Sequence, residues 1–373
     1  MTKVYCTGCG VVTPVGDTPE AVFQAVRTGR SALRLYQAGP EPYVASLLSR
    51  EGFDGPSFFE YIAVKAAQKA LEQAGLEPAG PRVGLVLSTI KGNVELLDRE
   101  DVSLAASAAR IAAVLGMSTP PVVVSNACIS GLAALLQGMR MLRDGAYDHV
   151  LVVGAEVQSR FIVSGFQSLK ALSLQPCKPF DAARDGLNLG EAAAAMVLST
   201  EMPGQAGHDV LADSDRPSPW ELVDGAVRND ANHISGPSRT GEGSYNALNY
   251  LLPLVNREKL AFVNVHGTAT LYNDEMEAIA LDRAGLLDVP VNALKGIFGH
   301  TMGAAGILES IVSMLACDKG VVLPTRGFSE LGVSRPVRVS AQEMPTQGSE
   351  FIKLLSGFGG VNGALLFRKG GAQ

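Results

Sequence analysis

The sequence predicts an α/β fold in which strands and helices alternate along most of the chain. Short runs rich in Val, Ile and Leu recur along the sequence and are typical of buried strands. Between these runs lie longer segments whose apolar residues recur at helical spacing. The same strand–helix order appears on both sides of residue 210, which suggests a duplicated fold with largely parallel central strands.

The elements of the first half follow from apolar runs and from residues that start or end helices. Pro19 suits the first turn of a helix, and Gly75 and Gly116 each suit a helix end. In chain order, the predicted elements are a strand over residues 4–12, a helix over 18–27, a loop over 31–56, a helix over 57–74, a strand over 83–88, a mostly helical segment over 93–117, a strand over 121–124, a helix over 132–142, and strands over 149–154 and 190–198.

A polar stretch rich in glycine and proline over residues 201–219 is the predicted boundary between the halves. It divides the chain into an N-terminal half, residues 1–210, and a C-terminal half, residues 211–373. In chain order, the second half is predicted to contain a strand over 220–227, a helix over 244–255, a strand over 260–265, helices over 273–284 and 303–317, and strands over 337–342, 351–355 and 364–367.

Composition excludes several classes of protein. The chain has 373 residues, of which 47% are apolar and 18% charged, so a large core is expected. The net charge of −6 argues against nucleic acid as a partner. No apolar run is long enough to span a membrane and no signal peptide is evident, which favours a cytoplasmic location. The pair Cys6 and Cys9 lacks a second pair, which argues against a zinc site.

One turn between a predicted strand and a helix carries a candidate nucleophile. Cys128 lies among small residues, after the apolar run 121–124 and before the helix that follows Gly131. Unpaired N–H groups and the positive end of the helix dipole favour a thiolate at such a position. A buried apolar cysteine would fit the same stretch, so both interpretations stay open here.

Two histidines lie where α/β proteins place functional groups. His266 follows a predicted strand in VNVHGTAT, and His300 lies in a glycine-rich turn, LKGIFGHTMGAAG, that opens a helix. Sites form at strand ends along one edge of an α/β sheet. A lone histidine is more often structural, but with Cys128 the two could supply a nucleophile and two hydrogen-bond donors to an oxyanion.

Five segments, in this order, resemble the elongating β-ketoacyl-[acyl carrier protein] synthases, which carry a Cys-His-His triad. The segments are NACISG, KPFDAARDGLNLGEAAA, VNVHGTAT, LKGIFGHTMGAAGILES and SGFGGVNG. The opening VYCTGCGVVTPVG also resembles the first strand and turn of the family. The resemblance implies the thiolase fold, with duplicated halves in a five-layer α-β-α-β-α arrangement, and a dimer.

The resemblance also implies roles for individual residues. Cys128 would be the acylated nucleophile, and His266 and His300 would promote decarboxylation of a malonyl unit and stabilise the enolate. Lys295 would pair with Glu309 and support the charge of the site. Phe358 would be the gating aromatic residue, and its backbone N–H would form an oxyanion hole with the backbone N–H of Cys128. Thr268 and Thr270 would bind the phosphopantetheine arm. Arg184 would lie near the carrier-protein docking surface.

The implied activity is decarboxylative Claisen condensation of malonyl-acyl carrier protein with an acyl group held on Cys128, giving a β-ketoacyl product. It would serve fatty acid synthesis or type II polyketide or polyene synthesis. The implied partners are an acyl carrier protein and a second copy of the chain, or a related ketosynthase-like subunit. No metal or redox cofactor is implied, because the carrier protein delivers the phosphopantetheine arm.

Single residues distinguish the sequence from three related classes of protein. A thiolase would have a second cysteine in the late loop GFGGVNG, and an initiating synthase would have asparagine in place of His300. The remaining alternative is a chain-length-factor-like partner subunit, a class that usually lacks the cysteine found at Cys128. The segment between about Lys91 and Pro120 is shorter than in the family, and the basic segment near Arg50 is thin, so acyl length and the carrier protein stay open.

Overall fold

A computed structural model of the protein describes residues 2–37, 41–97, 102–202 and 219–370. The predicted boundary at residue 210 lies outside these ranges. The strands are β1 (Tyr5–Val12), β2 (Arg34–Tyr36), β3 (Tyr43–Ser46), β4 (Val83–Ser88), β5 (Val122–Val124), β6 (His149–Glu156), β7 (Leu189–Gly190), β8 (Ala192–Ser199), β9 (Trp220–Asn229), β10 (Leu260–Asn264), β11 (Pro290–Asn292), β12 (Val321–Val322), β13 (Arg338–Val339), β14 (Met344–Pro345), β15 (Glu350–Gly357) and β16 (Val361–Lys369). The helices are α1 (Pro19–Arg27), α2 (Phe58–Ala74), α3 (Leu104–Leu115), α4 (Ser130–Arg143), α5 (Arg160–Ser168), α6 (Glu242–Leu251), α7 (Leu271–Arg283), α8 (Lys295–Phe298) and α9 (Ala305–Asp318).

The two halves share one strand topology, which confirms the predicted duplication. The main sheet has the order β13-β11-β10-β15-β16-β9-β1-β8-β6-β4-β5. Outward from the middle, the first half runs β1-β8-β6-β4-β5 and the second half runs β9-β16-β15-β10-β11. When β13, the extra strand at the outer edge of the second half, is left out, both halves follow the order first, fifth, fourth, second, third along the chain. The directions agree too, because in each half the two inner pairs are antiparallel and the two outer pairs are parallel.

Alternate strand residues face different helical layers. On β6, Leu151 and Val153 pack in a core with α2 and α3, whereas Val150 and Val152 pack in a central core with α4 and α9. The second half repeats this pattern, with α6 and α7 on its outer face. The central core is therefore shared by both halves. The layers stack as α-β-α-β-α, as predicted.

The central strands are not largely parallel, and this part of the prediction is wrong. From β15 through β16, β9, β1 and β8 to β6, every neighbouring pair is antiparallel, and the parallel pairs lie towards the two ends of the sheet. Continuous apolar runs report burial on both faces of a strand. In this protein helices also cover both faces of the antiparallel strands. The apolar runs in the sequence therefore could not show whether neighbouring strands are parallel or antiparallel.

Three local predictions also need correction. The predicted loop over residues 31–56 contains β2 and β3, which form a small sheet with β7. Of the described residues in the predicted helical segment over 93–117, those of α3 form a continuous helix, and Val94–Leu96 form a short turn before it. The predicted buried strand β5 is half-buried, because it lies at an end of the main sheet. The sequence prediction also omitted α5, α8 and β11.

Helix ends follow the local chemistry of the sequence. The Ser57 hydroxyl accepts the backbone N–H of Glu60 at 3.1 Å and starts α2, while Gly75 ends it in the left-handed conformation. Gly116 ends α3 in the same way. Within the described ranges, no helix is long and apolar enough to cross a bilayer.

Candidate active site

The turns after β5, β10 and α8 bring the predicted trio together. One ligand atom from each of Cys128, His266 and His300 lies within 4.8 Å of the other two. The two imidazole rings have centroids 5.1 Å apart and meet edge to face, at 82°. All three side chains are buried, and they line a cavity of about 440 Å³. The structure thus assembles a thiol and two imidazoles in one enclosed space.

A tight turn presents Cys128 to the cavity. Ala127 adopts the left-handed conformation, with φ of 45°, and the Ser130 hydroxyl closes the turn by accepting from Asn126 N–H and donating to the Ala127 carbonyl. A Cβ at Gly357 would come within 3.0 Å of the Cys128 nitrogen. Glycine at 357 therefore lets the loop after β15 approach the cysteine closely.

The pKa of Cys128 differs from the expectation of an easily formed thiolate. Burial raises the pKa of the thiol to about 11, although the charge of Lys295 and the backbone N–H groups of Phe358 and Cys128 act to lower it. Desolvation disfavours the anion more strongly than these groups stabilise it. The resting site therefore holds a thiol at neutral pH, and a base has to remove its proton during the reaction.

Both histidines are neutral at physiological pH. Burial, followed by the positive charge of Lys295, holds the pKa of His266 and of His300 well below the ordinary value. The backbone N–H of Met302 donates to Nδ1 of His300 at 3.3 Å, so the neutral ring carries its proton on Nε2. Nε2 has no partner among the described residues. It is a buried donor in a ring that lines the cavity.

A buried ion cluster lies behind the histidines. The ammonium of Lys295 bonds Glu309 Oε1 at 2.8 Å, the pairing that the sequence predicted, and the carbonyl oxygen of His266 at 2.6 Å. Lys353 bonds the other oxygen, Oε2, of Glu309 at 2.6 Å. Lys353 was not among the residues predicted from the sequence. The sequence feature that could have pointed to this residue is a single lysine inside the apolar run FIKLL.

Two aromatic rings and two hydroxyls complete the cavity wall. Phe358 lies beside Cys128, as predicted, and its ring packs against that of Phe166 with centroids 5.7 Å apart. Phe166 belongs to α5, and no pattern in the sequence singles it out. The hydroxyls of Thr268 and Thr270 are 2.9 Å apart and both residues line the cavity.

Arg184 cannot dock a carrier protein, and this prediction is wrong. Its side chain is 5% exposed, and its guanidinium donates to the carbonyl oxygens of Asp181, Gly332 and Leu271. The residue holds together three segments of the interior, so it offers nothing to a surface partner. The cation at the mouth of the cavity is Lys170, an exposed residue in the left-handed conformation, with φ of 51°.

Two buried carboxylates of α7 hold the loop that carries His266. Glu277 accepts the backbone N–H groups of His266 at 2.6 Å and of Gly267 at 2.8 Å. Asp274 accepts the N–H of Ala269 at 3.2 Å. Burial raises the pKa of Glu277 to about 7 and that of Asp274 to about 6. The signal missed in the sequence was a pair of acids three residues apart just after the histidine loop.

The thiol and the two imidazoles are also side-chain types that bind metal ions. A Cys-His-His set can bind zinc when each metal-bound histidine donates its second ring N–H to an acceptor. At His300 the hydrogen bond runs the other way, because Met302 N–H donates to the ring. The buried ammonium of Lys295 also lies against the His266 loop. The surroundings therefore do not fit a metal ion.

Comparisons with known proteins agree with this geometry. A family model for the β-ketoacyl synthase N-terminal domain matches residues 56–203, and one for the C-terminal domain matches residues 221–329. The ketoacyl synthase alpha subunit of the tetracenomycin polyketide synthase of Streptomyces glaucescens is 30% identical, over 88% of each chain. The 3-oxoacyl-[acyl-carrier-protein] synthase 2 of Vibrio cholerae is 28% identical, over 98% of this chain and 99% of the relative.

A solved structure extends the agreement to the fold. The ishigamide ketosynthase/chain length factor matches with a TM-score of 0.86 and 25% identity, over 99% of this chain and 100% of the other. With the five layers described above, this match confirms the thiolase fold. The two family models together cover more than half of the sequence. The protein therefore belongs to the β-ketoacyl synthase family.

Proposed function

We propose that the protein is an elongating β-ketoacyl-[acyl carrier protein] synthase. It takes an acyl group onto Cys128 and joins it to a malonyl unit with loss of carbon dioxide. The observation that carries this proposal is the enclosed meeting of one thiol and two neutral imidazoles within 4.8 Å. Each of the three groups has a distinct task in the reaction.

The first task is acyl transfer. His266 takes the proton of the Cys128 thiol, because its buried Nδ1 has no hydrogen-bond partner among the described residues. The sulfur attacks the acyl thioester, and the backbone N–H groups of Cys128 and Phe358 stabilise the oxyanion. The carrier thiolate then leaves and takes the proton from His266. The products are acyl-Cys128 and the free thiol of the carrier protein.

The second task is decarboxylation. The malonyl thioester carbonyl accepts a hydrogen bond from Nε2–H of His300, while the bond to the malonyl carboxylate breaks and carbon dioxide leaves. The electron pair becomes an enolate, whose oxygen stays bonded to the imidazole donors. A donor of this kind lowers a barrier by about 3 kcal/mol. Neutral rings suit this task, since their N–H groups donate without giving up the proton.

The third task is condensation. The enolate carbon attacks the carbonyl carbon of acyl-Cys128, so a carbon–carbon bond forms and the carbon–sulfur bond breaks. The departing Cys128 thiolate takes up a proton from solvent, and the β-ketoacyl product stays on the carrier thiol. The three steps involve no net oxidation or reduction, so they need no redox cofactor. The imidazole and backbone N–H donors stabilise the enolate and the oxyanion, so the steps need no metal ion for that purpose.

The partners of the proposed enzyme follow from the cavity and the sheet edge. Thr268 and Thr270 are placed to contact the phosphopantetheine arm, and Lys170 at the cavity mouth offers a positive charge to an acidic carrier protein. Strand β5 ends the main sheet, and among the described residues no strand pairs with its outer edge; such edges favour pairing with another chain. We propose a dimer through this edge, with a second copy or a related ketosynthase-like subunit.

Intact-protein mass spectrometry tests the proposed function. The protein is incubated with a panel of acyl carrier-protein thioesters, and malonyl-carrier protein is then added. We expect an acyl mass on the wild type and on Cys9→Ala, but none on Cys128→Ala. The acyl mass should disappear on addition of malonyl thioester, with release of a product two carbons longer. No adduct with any donor would instead favour the chain-length-factor-like subunit.

A further inference from the structure

Lys353 is a charged residue in the interior of the molecule. It lies on β15, and its neighbours on the same face, Phe351 and Leu355, belong to the central core. The Lys353 side chain is 0% exposed. A lysine is almost never buried to this extent unless it is paired, so its contacts have to account for its position.

The contacts of Lys353 form a continuous path to a histidine. Its ammonium bonds Glu309 Oε2 at 2.6 Å and the carbonyl oxygens of Leu354 at 3.1 Å and of Asn264 and Val265 at 3.4 Å. Glu309 Oε1 bonds Lys295 at 2.8 Å, and Lys295 bonds the carbonyl oxygen of His266 at 2.6 Å. One carboxylate on α9 is thus shared by two lysines, one of which holds the backbone of His266.

The cluster of Lys295, Glu309 and Lys353 carries a net positive charge, because one carboxylate is shared by two ammonium groups. Lys295 and Glu309 alone would be neutral, whereas the ammonium of Lys353 brings the cluster to +1. The other ionisable groups near it are Glu277 on α7 and the imidazoles of His266 and His300. In a buried region of low dielectric, one net charge opposes the formation of a second one nearby.

We propose that Lys353 is a positioning residue of the condensation, whose ammonium makes the Lys295–Glu309 pair net cationic and so keeps both imidazoles neutral under acidic conditions. This inference rests on the proposed function above. A purely structural role explains the residue less well. Methionine has a similar length, and in its presence Glu309 would keep Lys295 as a partner, so the fold would lose only the hydrogen bonds that Lys353 donates to backbone carbonyl oxygens.

The direct test is the titration of the two imidazoles in Lys353→Met, followed by NMR in the whole protein. We expect the pKa of His266 and of His300 to rise by about one unit. The acid limb of the pH profile of malonyl decarboxylation should shift to higher pH by the same amount, so that on this limb the variant is roughly tenfold slower than the wild type. At a pH where both imidazoles are neutral in both proteins, the two rates should converge.

A compensating variant separates charge from structure. Lys353→Met combined with Glu309→Gln leaves Lys295 as a lone cation, which restores the net charge of +1. We expect the histidine titrations to return towards the wild-type values in this double variant, whereas a structural role predicts a further loss. The matched control is Lys319→Met, which removes an exposed lysine at the end of α9 that pairs with Glu20.

Each outcome decides between the two proposals. A wild type that neither acylates nor decarboxylates contradicts the proposed function, while a shift of the titrations in Lys353→Met would still support the charge effect. An active wild type with unmoved titrations in Lys353→Met overturns the role of Lys353. If Lys353→Met does not fold, Lys353→Gln takes its place. If neither folds, the lysine serves the fold and the inference is abandoned.

Discussion

The two histidines have similar places in the sequence but are held in different ways. The ring of His300 is fixed by the N–H of Met302, which decides where its proton lies. At His266 the backbone is fixed instead, with its N–H bonded to Glu277 and its carbonyl oxygen bonded to Lys295. A ring with a fixed proton suits a hydrogen-bond donor, and a ring free to change its protonation suits a base.

Replacing His300 tests this division of labour. In His300→Ala we expect malonyl decarboxylation to fall by roughly 10²–10³, because one oxyanion donor is lost. Acylation of Cys128 should stay within about tenfold of wild type, since the proton acceptor His266 remains. Release of carbon dioxide and the acyl-enzyme mass report the two steps separately.

The control for this experiment is His149→Ala, at the start of β6 and outside the cavity. It should leave both steps unchanged. Equal loss of acylation and decarboxylation in His300→Ala would mean that the two rings share one task.

At the scale of elements, buried carboxylates fasten the loops of the site. Glu277 on α7 binds the loop after β10, and Glu156 at the end of β6 accepts N–H groups of Ile90 at 2.9 Å and of Gly303 at 3.0 Å. Residue 90 follows β4 in the first half, and residue 303 precedes α9 in the second. A single side chain therefore binds loops from both halves.

The contact between α4 and α9 depends on glycine at position 306. A Cβ there would come within 2.3 Å of the backbone nitrogen of Leu132, which has no room to move away. We expect Gly306→Ala to lower the free energy of unfolding by about 1–3 kcal/mol or more, as overpacking of a core does. Denaturant unfolding measures the loss.

The matched control is Gly165→Ala on α5, where nothing lies within 4 Å of the added carbon. This change should be neutral or should stabilise the protein by about 0.4–1 kcal/mol. An equal loss of stability in both variants would show that the cost comes from the helices themselves, not from their contact.

At the scale of the whole molecule, Glu156 couples stability to pH. Burial raises its pKa from 4.5 to about 7. Between these values the folded protein binds a proton that the unfolded chain has released, so this group makes the protein less stable as pH rises through that window. The variant Glu156→Gln has no titrating group at this position. The free energy of unfolding that it loses with the hydrogen bonds of the carboxylate is therefore the same at every pH.

We therefore expect the stability of the wild type relative to Glu156→Gln to fall by up to about 3 kcal/mol from pH 4.5 to pH 8. Denaturant unfolding of both proteins across this range measures the difference. A constant difference would show that Glu156 keeps its ordinary pKa in the folded protein.

The sequence by itself determined the elements and the chemistry of the trio. Apolar runs located β4 and β6, glycine ended α2 and α3, and the ordered motifs identified Cys128, His266 and His300 together with the pairing of Lys295 and Glu309. These features are local, or were carried by short motifs, so they can be recognised without knowing which segments meet.

Only the tertiary structure decided strand direction, burial and partners. An apolar run looks the same in a parallel and an antiparallel strand when helices cover both faces, so the antiparallel centre was missed. Arg184 is buried and binds backbone carbonyl oxygens of the interior. Cys128 is a protonated thiol at neutral pH, and Lys353 is the second partner of Glu309. Each outcome depends on desolvation and on contacts between segments far apart in the chain, and neither is encoded in any one stretch of sequence.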